Sequence, residues 1–314
     1  MAEYKTKLLI IGSGPAGYTA GIYAARAGLS PVLVSGFEVG GQLTLSEDVS
    51  NFPGFVGSVR GLDLMETMRQ QVLNLGVTMV NDIIVEVDFA HRPFECSSEN
   101  HNAFYADAVL IATGASAKWL NVAGEDKFRG FGVSVCATCD GFFYKNKHVA
   151  VVGGGNSAAE EAIYLTNFVR SVTIVHRREQ MRADKALFDQ LAQNHKINIK
   201  YNCVVEEVLG QDNPKGVTGL RLKNVRTDKK EILDVSGVFV AIGHKPNTDV
   251  FKNHLELDKD GYIKTTMGTC KTSIPGIFAS GDVQNPHYRQ AIIAAGSGAI
   301  GALEAERFLN KRQD

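Results

Sequence analysis

The sequence predicts an α/β protein of two Rossmann-like dinucleotide-binding units, each with the three-layer plan, the second inserted into the first. Three observations predict it. A glycine fingerprint, Gly12-Ser13-Gly14-Pro15-Ala16-Gly17, follows the apolar run Leu8-Leu9-Ile10-Ile11 and opens a stretch of helical character. A second fingerprint, Gly153-Gly154-Gly155-Asn156-Ser157-Ala158, follows Val149-Ala150-Val151-Val152 in the same way. Each copy then closes on an apolar run ending in glycine, Val109-Leu110-Ile111-Ala112-Thr113-Gly114 and Val238-Phe239-Val240-Ala241-Ile242-Gly243.

Taken in order, residues 8–11 form a short strand, and a helix runs from just after Gly14 to Ala27, where Gly28 stops it. Pro31-Val32-Leu33-Val34 is the next strand, which completes a strand–helix–strand unit with glycines at its turn. A helix over residues 62–75 and several alternating strands lead to Val109. The second copy has a helix to residue 167 and a strand at Val172-Thr173-Ile174-Val175. After Gly243 no third copy begins. The chain instead gives Ser273-Ile274-Pro275-Gly276-Ile277-Phe278-Ala279-Ser280-Gly281-Asp282 and an apolar helical segment over residues 289–308. This tail is expected to complete the first domain, so that residues 1–116 and 246–314 form one domain and residues 117–245 the inserted one. Neither crossing is rich in glycine or serine, so both linkers are expected to be short and defined.

Composition narrows the function. The chain has 314 residues, 33 basic and 34 acidic, with a net charge of −1. That balance gives no bulk electrostatic case for nucleic acid or a membrane surface. Lys5 and Lys7 precede an apolar run too short for a signal peptide, and no run approaches the ~18 apolar residues of a membrane helix. Five cysteines, an odd number, do not make a disulfide framework. A cytoplasmic, reducing setting is expected, where a disulfide is usually catalytic.

In the first fingerprint Gly12 permits the tight turn, Gly14 admits the pyrophosphate to the backbone, and Gly17 lets helix and strand pack closely. The first acid after the second strand is Glu38, a little late for the residue that holds ribose hydroxyls. In the second copy His176-Arg177-Arg178, with Arg182 nearby, stands where that acid would be. Cations there favour a 2′-phosphate, and so NADPH over NADH. His176 has a further reading, as a residue packed beside the adenine.

Cys136 and Cys139, in Cys136-Ala137-Thr138-Cys139-Asp140, admit three readings: half of a zinc site, two structural thiols, or a redox disulfide. Cys96, Cys203 and Cys270 stand singly and only His148 is near, so zinc is short of ligands. A small ring readily opened and re-formed is the favoured reading.

Taken together, these motifs resemble the low-molecular-weight, bacterial-type thioredoxin reductases. The match runs through residues 12–17, Gly40-Gly41-Gln42-Leu43, Asn51-Phe52-Pro53-Gly54, Ala112-Thr113-Gly114, Cys136 to Gly141, residues 153–158, His176-Arg177-Arg178, Gly281-Asp282 and Arg289-Gln290-Ala291. It covers essentially the whole chain in the family's order. The glutathione-reductase-like branch is unlike it, because there the cysteines follow the first fingerprint. The resemblance implies an FAD held by Gly12, Ser13, Gly14, Pro15, Ala16 and Gly17, with Glu38, Gly40, Gly41, Gln42, Leu43 and Asn51 around the flavin side. Asp282 would accept from the ribityl chain, and Arg289, Gln290 and Ala291 would line the isoalloxazine. It further implies a homodimer and an activity in which NADPH reduces FAD, FAD reduces the Cys136–Cys139 disulfide, and the dithiol reduces thioredoxin. Cys139 would face the flavin, Cys136 would attack thioredoxin, and Asp140 would carry the proton; a helix-capping role for Asp140 is compatible with this.

Two further expectations concern geometry and alternatives. The nucleotide belongs at the carboxyl edge of its sheet, while the cysteines precede the strand at Val149 and are expected towards the opposite edge. The inserted domain would then have to rotate about its two crossings. The competing functions are a related flavin-dependent reductase of another disulfide and a dithiol oxidase. An oxidase has no need of Arg177, Arg178 and Arg182. A non-catalytic redox sensor has no need of Cys136, Cys139 and Asp140 together.

Overall fold

A computed structural model describes residues 1–311; the last three residues of the expected first domain lie outside the described residues. The chain divides into two compact units, Met1–Ser116 with Lys245–Asp314, and Ala117–His244.

The first unit opens with β1 (Glu3–Ile11), α1 (Pro15–Arg26), β2 (Val32–Val34), α2 (Gly61–Asn74) and β3 (Thr78–Val80). It continues through β4 (Ile84–Asp88), β5 (Phe94–Ser98) and β6 (Ala103–Ile111). Strands β3, β2, β1 and β6 run parallel, and β5 and β4 add an antiparallel wing. The central strands are apolar on both faces because both faces are covered. Leu8 and Ile10 point into a core shared with α1 and α2, whereas Leu9 and Ile11 point into a second core with Phe94, Phe104 and Phe251. The period of 2 along the strand thus divides one apolar run between two layers.

The second unit follows β7 (Ala115–Ala117). It comprises β8 (Val133–Ser134), α3 (Ala137–Asp140), β9 (His148–Gly153), α4 (Asn156–Leu165), β10 (Ser171–Val175), α5 (Lys185–Gln193) and β11 (Ile197–Lys200). After these come β12 (Cys203–Asp212), β13 (Lys215–Asn224), β14 (Lys230–Asp234) and β15 (Gly237–Ala241), before the exit strand β16 (His244–Pro246). A parallel sheet of order β11-β10-β9-β15-β8 carries α4 on one face. Val149 and Val151 pack toward α4, while Ala150 and Val152 pack toward the antiparallel sheet β12-β13-β14. That second sheet and the short β8 were not marked by the apolar pattern. β14 is exposed along much of its length, and β8 is only two residues long beside two glycines.

The chain then returns through β17 (Ile277–Ala279) and α6 (Ala291–Asn310), both in the first unit. One edge of β6 is shared: Phe94–Ser97 of β5 takes residues 103–106, and β17 takes residues 109–111. α6 lies close over α1, because a Cβ on Gly298 would stand 2.1 Å from the Ala16 carbonyl oxygen. At the crossing, Asn247 and Thr113 of the first unit clamp one another: Thr113 Oγ1 donates to the Asn247 carbonyl at 2.7 Å, and Asn247 Nδ2 to the Thr113 carbonyl at 2.8 Å.

Candidate active site

The first fingerprint folds into a turn with an open mouth. Gly14 is the N-cap of α1, makes no side-chain cap, and is followed by Pro15 with no acid in the first turn. The amide groups at that helix end are therefore unspent and face no negative charge, which suits an anion. A Cβ on Gly14 would meet nothing within 4 Å, whereas one on Gly17 would stand 1.9 Å from the Gly12 carbonyl oxygen. Gly12 itself has φ +113°, and its Cβ would stand 2.3 Å from the Ala112 carbonyl oxygen. This contrast gives a paired expectation. Gly12→Ala should cost about 3 kcal/mol or more of fold stability. Gly14→Ala should leave the melting temperature of the flavin-free chain unchanged and weaken flavin retention. Equal melting losses in the two variants would refute the assignment of the open mouth to a nucleotide.

Ser13 organises the loop that follows β2. Its Oγ donates to the Ser35 carbonyl at 2.8 Å and accepts from the Gly40 amide at 3.0 Å. Glu38 is exposed; its carboxylate accepts from Gln42 Nε2 at 3.1 Å and its carbonyl from the Gly41 amide at 2.9 Å. Asn51 and Gln290, far apart in sequence, meet through Nδ2 to Oε1 at 3.2 Å. Gln290 is the N-cap of α6, and Ala291 is its first residue. Leu43 and Gly114 are partly exposed, as is Arg289, which is bonded to the Pro286 carbonyl.

Asp282 follows Gly281, whose amide donates to Ser297 Oγ at 2.7 Å. It is half-buried, and burial pushes its carboxyl up to about 6 against the pull of Arg289. Among the described residues no donor satisfies it, so a hydroxyl-bearing ligand chain fits there. A raised carboxyl pKa means the folded chain holds the proton more tightly than the unfolded one. Stability is then full below the ordinary 3.8 and is lost as pH rises through about 6. The flavin-stripped chain should lose roughly 1–3 kcal/mol over that window, and Asp282→Asn should flatten the decline. Melting curves between about pH 4 and 7 check this, and parallel slopes for both proteins would contradict it.

The second fingerprint repeats the open turn. Gly155 caps α4 with no side-chain bond and no acid in its first turn, and nothing lies within 4 Å of where its Cβ would be. A loop carrying the arginines is tied to it. The Arg182 amide donates to the Gly154 carbonyl at 2.6 Å, and Asn156 and Asp184 exchange two bonds at 2.7 and 2.9 Å. Arg177, Arg178 and Arg182 are exposed, and among the described residues none pairs with a carboxylate. Ser157, in the first turn of α4, is partly exposed. His176 differs from its neighbours. It is 6% exposed, its Nε2 lies 2.9 Å from the Gln180 carbonyl, and its ring fills the space where a Gly154 side chain would be. It therefore braces the arginine loop from inside. Asp184 was missed in the sequence; an acid after a basic cluster carries no pattern that points to a clamp.

Cys136 and Cys139 form a disulfide. They follow the carboxyl end of β8, whose Ser134 pairs with Phe239, the middle residue of β15. The cysteine turn thus begins at mid-sheet height. From there the chain runs back: Gly141 packs on Leu165, the last residue of α4, whose first residue is at the fingerprint. Asp140 ends α3, and its carboxylate makes no cap bond to the next turn. Burial and the charge of Asp140 push the Tyr144 hydroxyl up to about 12. The other thiols are inert by contrast. Burial pushes Cys96 up to about 12 and Cys270 up to about 11, and Cys203 is raised as well.

Residues 6–298 match the family model described as pyridine nucleotide-disulphide oxidoreductase. Among curated proteins, the thioredoxin reductase of Rickettsia conorii is 55% identical over 98% of this chain and 99% of its own. That of Escherichia coli O157:H7 is 50% identical over 98% of both. The chain belongs to the pyridine nucleotide-disulphide oxidoreductases, in their low-molecular-weight thioredoxin reductase branch. Solved thioredoxin reductases share the fold: that of Giardia duodenalis has a TM-score of 0.93 at 39% identity, covering 98% of this chain and 99% of its own. That of Streptococcus pyogenes has a TM-score of 0.93 at 38% identity with the same coverage. Family membership makes this chain a flavoprotein disulfide reductase that draws on a nicotinamide nucleotide. No helix among the described residues is long and apolar enough to cross a membrane.

Proposed function

We propose that this chain reduces the disulfide of a thioredoxin with NADPH, with FAD as its resident cofactor. In this reading the first unit holds FAD and the inserted unit holds NADPH and the redox pair. The observation that carries it is the Cys136–Cys139 disulfide in the same unit as an uncapped glycine turn flanked by three exposed, unpaired arginines. The flavin, when bound, supplies the conversion of a hydride into an electron pair that a disulfide accepts.

The chain's own residues do the rest. The open turn at Gly14 binds a pyrophosphate, and Ser13 holds the residue 35–40 loop in place around it. Asn51 and Gln290 set one another's side chains, and Asp282 orients a hydroxyl-bearing chain beside α6. Arg177, Arg178 and Arg182 select the 2′-phosphate, with the loop braced by His176 and the Asn156–Asp184 clamp. Cys139 receives the electrons, Cys136 exchanges with thioredoxin, and Asp140 gives or takes the proton at the Cys139 sulfur.

A homodimer and a reducing, cytoplasmic setting belong to the same reading. Ile292, Ile293, Ile300 and Leu303 are exposed apolar residues on α6, which favours a second copy against that helix. Anaerobic titration with NADPH tests the function: uptake of two reducing pairs per chain, one by flavin and one by disulfide, is expected. Uptake of a single pair, or no NADPH-driven reduction of thioredoxin, overturns it.

A further inference from the structure

The two sulfurs of the pair do not have the same surroundings. Cys136 is the N-cap of α3, and its Sγ accepts from the Cys139 amide at 3.2 Å. Thr138 Oγ1 lies 3.4 Å from the same sulfur. A sulfur in a disulfide has no proton to give, so the hydroxyl is the donor. No hydrogen bond among the described residues reaches the sulfur of Cys139 in this way. Ser134 fixes the backbone from which Cys136 projects: its Oγ accepts from the Cys136 amide at 3.0 Å and donates to the Cys136 carbonyl at 3.4 Å.

We propose that the Thr138 hydroxyl is a catalytic group of the exchange reaction: with the Cys139 amide it holds the Cys136 sulfur as the thiolate of the opened pair. The inference rests on the proposed dithiol–disulfide cycle and adds what makes its two sulfurs unequal. When an electron pair enters at Cys139, the S–S bond breaks and Cys136 departs with negative charge. Donors aimed at that sulfur stabilise the charge as it forms, and the better-stabilised thiol leaves faster. The Cys136 thiolate then attacks one sulfur of the protein disulfide, forming a mixed disulfide and releasing that partner's first thiolate. Cys139, its proton passed to Asp140, attacks the Cys136 sulfur, releases the second thiolate and re-forms the internal bond. Two electrons enter from the nucleotide and two leave on the partner dithiol.

Thr138 is itself exposed, so the bond it makes is at a surface that a protein substrate reaches. The titratable groups on the same turn are Asp140 and Tyr144, and Tyr164 of α4 lies against Gly141. All three remain unchanged in the variants below, so a shift between variants reports the hydroxyl alone.

The test compares the parent with Thr138→Val, which keeps the shape and removes the hydroxyl, and Thr138→Ser, which restores it. Each holoprotein is reduced with dithiothreitol, and labelling of Cys136 and Cys139 by iodoacetamide is followed by peptide mass spectrometry across pH. In the Val variant the Cys136 labelling midpoint should rise by about half to one pH unit, with a three- to tenfold fall in the thiolate fraction below it. The Ser variant should return to the parent's midpoint. An unchanged midpoint in Thr138→Val, or a Ser variant that behaves like Val, overturns the proposal. NADPH-driven turnover of thioredoxin, measured on the same samples, separates the two failures. A parent that labels as expected but never turns over contradicts the proposed function and leaves the role of Thr138 at the sulfur standing.

Discussion

Cys139→Ser is expected to lower NADPH-driven thioredoxin reduction by about three orders of magnitude or more, because no ring can open or close without its second sulfur. The flavin should still accept electrons from NADPH, since the open turns at Gly14 and Gly155 and the arginine loop are untouched. Cys136 remains, with the Ser134 bond that holds its backbone. It should therefore attack a thioredoxin disulfide and stop there, leaving a mixed disulfide that nothing resolves. Non-reducing electrophoresis and intact mass should find this adduct in Cys139→Ser. The reciprocal Cys136→Ser should abolish turnover equally and give no adduct. Retained turnover in Cys139→Ser, or the adduct appearing in the other variant, would show that the roles of the sulfurs are wrongly assigned.

The second large effect lies at the arginine loop. Replacing Arg177, Arg178 and Arg182 together by alanine should lower kcat/KM for NADPH about 10²-fold and leave that for NADH nearly unchanged. A hydrogen bond to a charged group contributes ~1.5–3 kcal/mol, and solvent screening at these exposed positions takes the lower end of that range. Because the side chains are exposed, the parent's preference should also weaken as salt is raised from about 0.05 to 0.5 M, where the screening length falls below ~10 Å. His176→Ala should act differently. The ring fills the space beside Gly154, so its loss loosens the loop as a whole and should raise KM for both coenzymes. Steady-state kinetics with the two coenzymes at two ionic strengths resolves these outcomes. An equal loss with NADH and NADPH in the triple variant would refute a 2′-phosphate site.

Both glycine turns, the cysteine pair and the basic run were legible because each is a local signal. A tight turn needs glycine where φ is positive, as at Gly12, and a phosphate-binding helix start must lack a side-chain cap and an early acid. Such demands fall on neighbouring residues and leave a pattern in sequence. The strand β8 and the sheet β12-β13-β14 left none. β8 is two residues long, and the antiparallel strands present a polar outer face, so their apolar positions are too sparse to stand out. The unforeseen β8 is also why the cysteine turn begins at mid-sheet height, since the chain enters it from the end of a strand. His176 looked like a member of the basic cluster, and only its neighbours show that it faces inward.

By itself the sequence determined two glycine turns, the sulfur pair and the basic run beside the second turn, since each depends on residues within a few positions of one another. Tertiary structure alone decided which groups meet across the chain: Asn51 with Gln290, Asn156 with Asp184, and the ring of His176 beneath Gly154. It also decided that Cys136, and not Cys139, receives the donated hydrogen bonds. The reason is physical. A turn is specified by the conformational limits of its own residues, whereas a hydrogen bond between distant side chains exists only once packing has fixed both backbones.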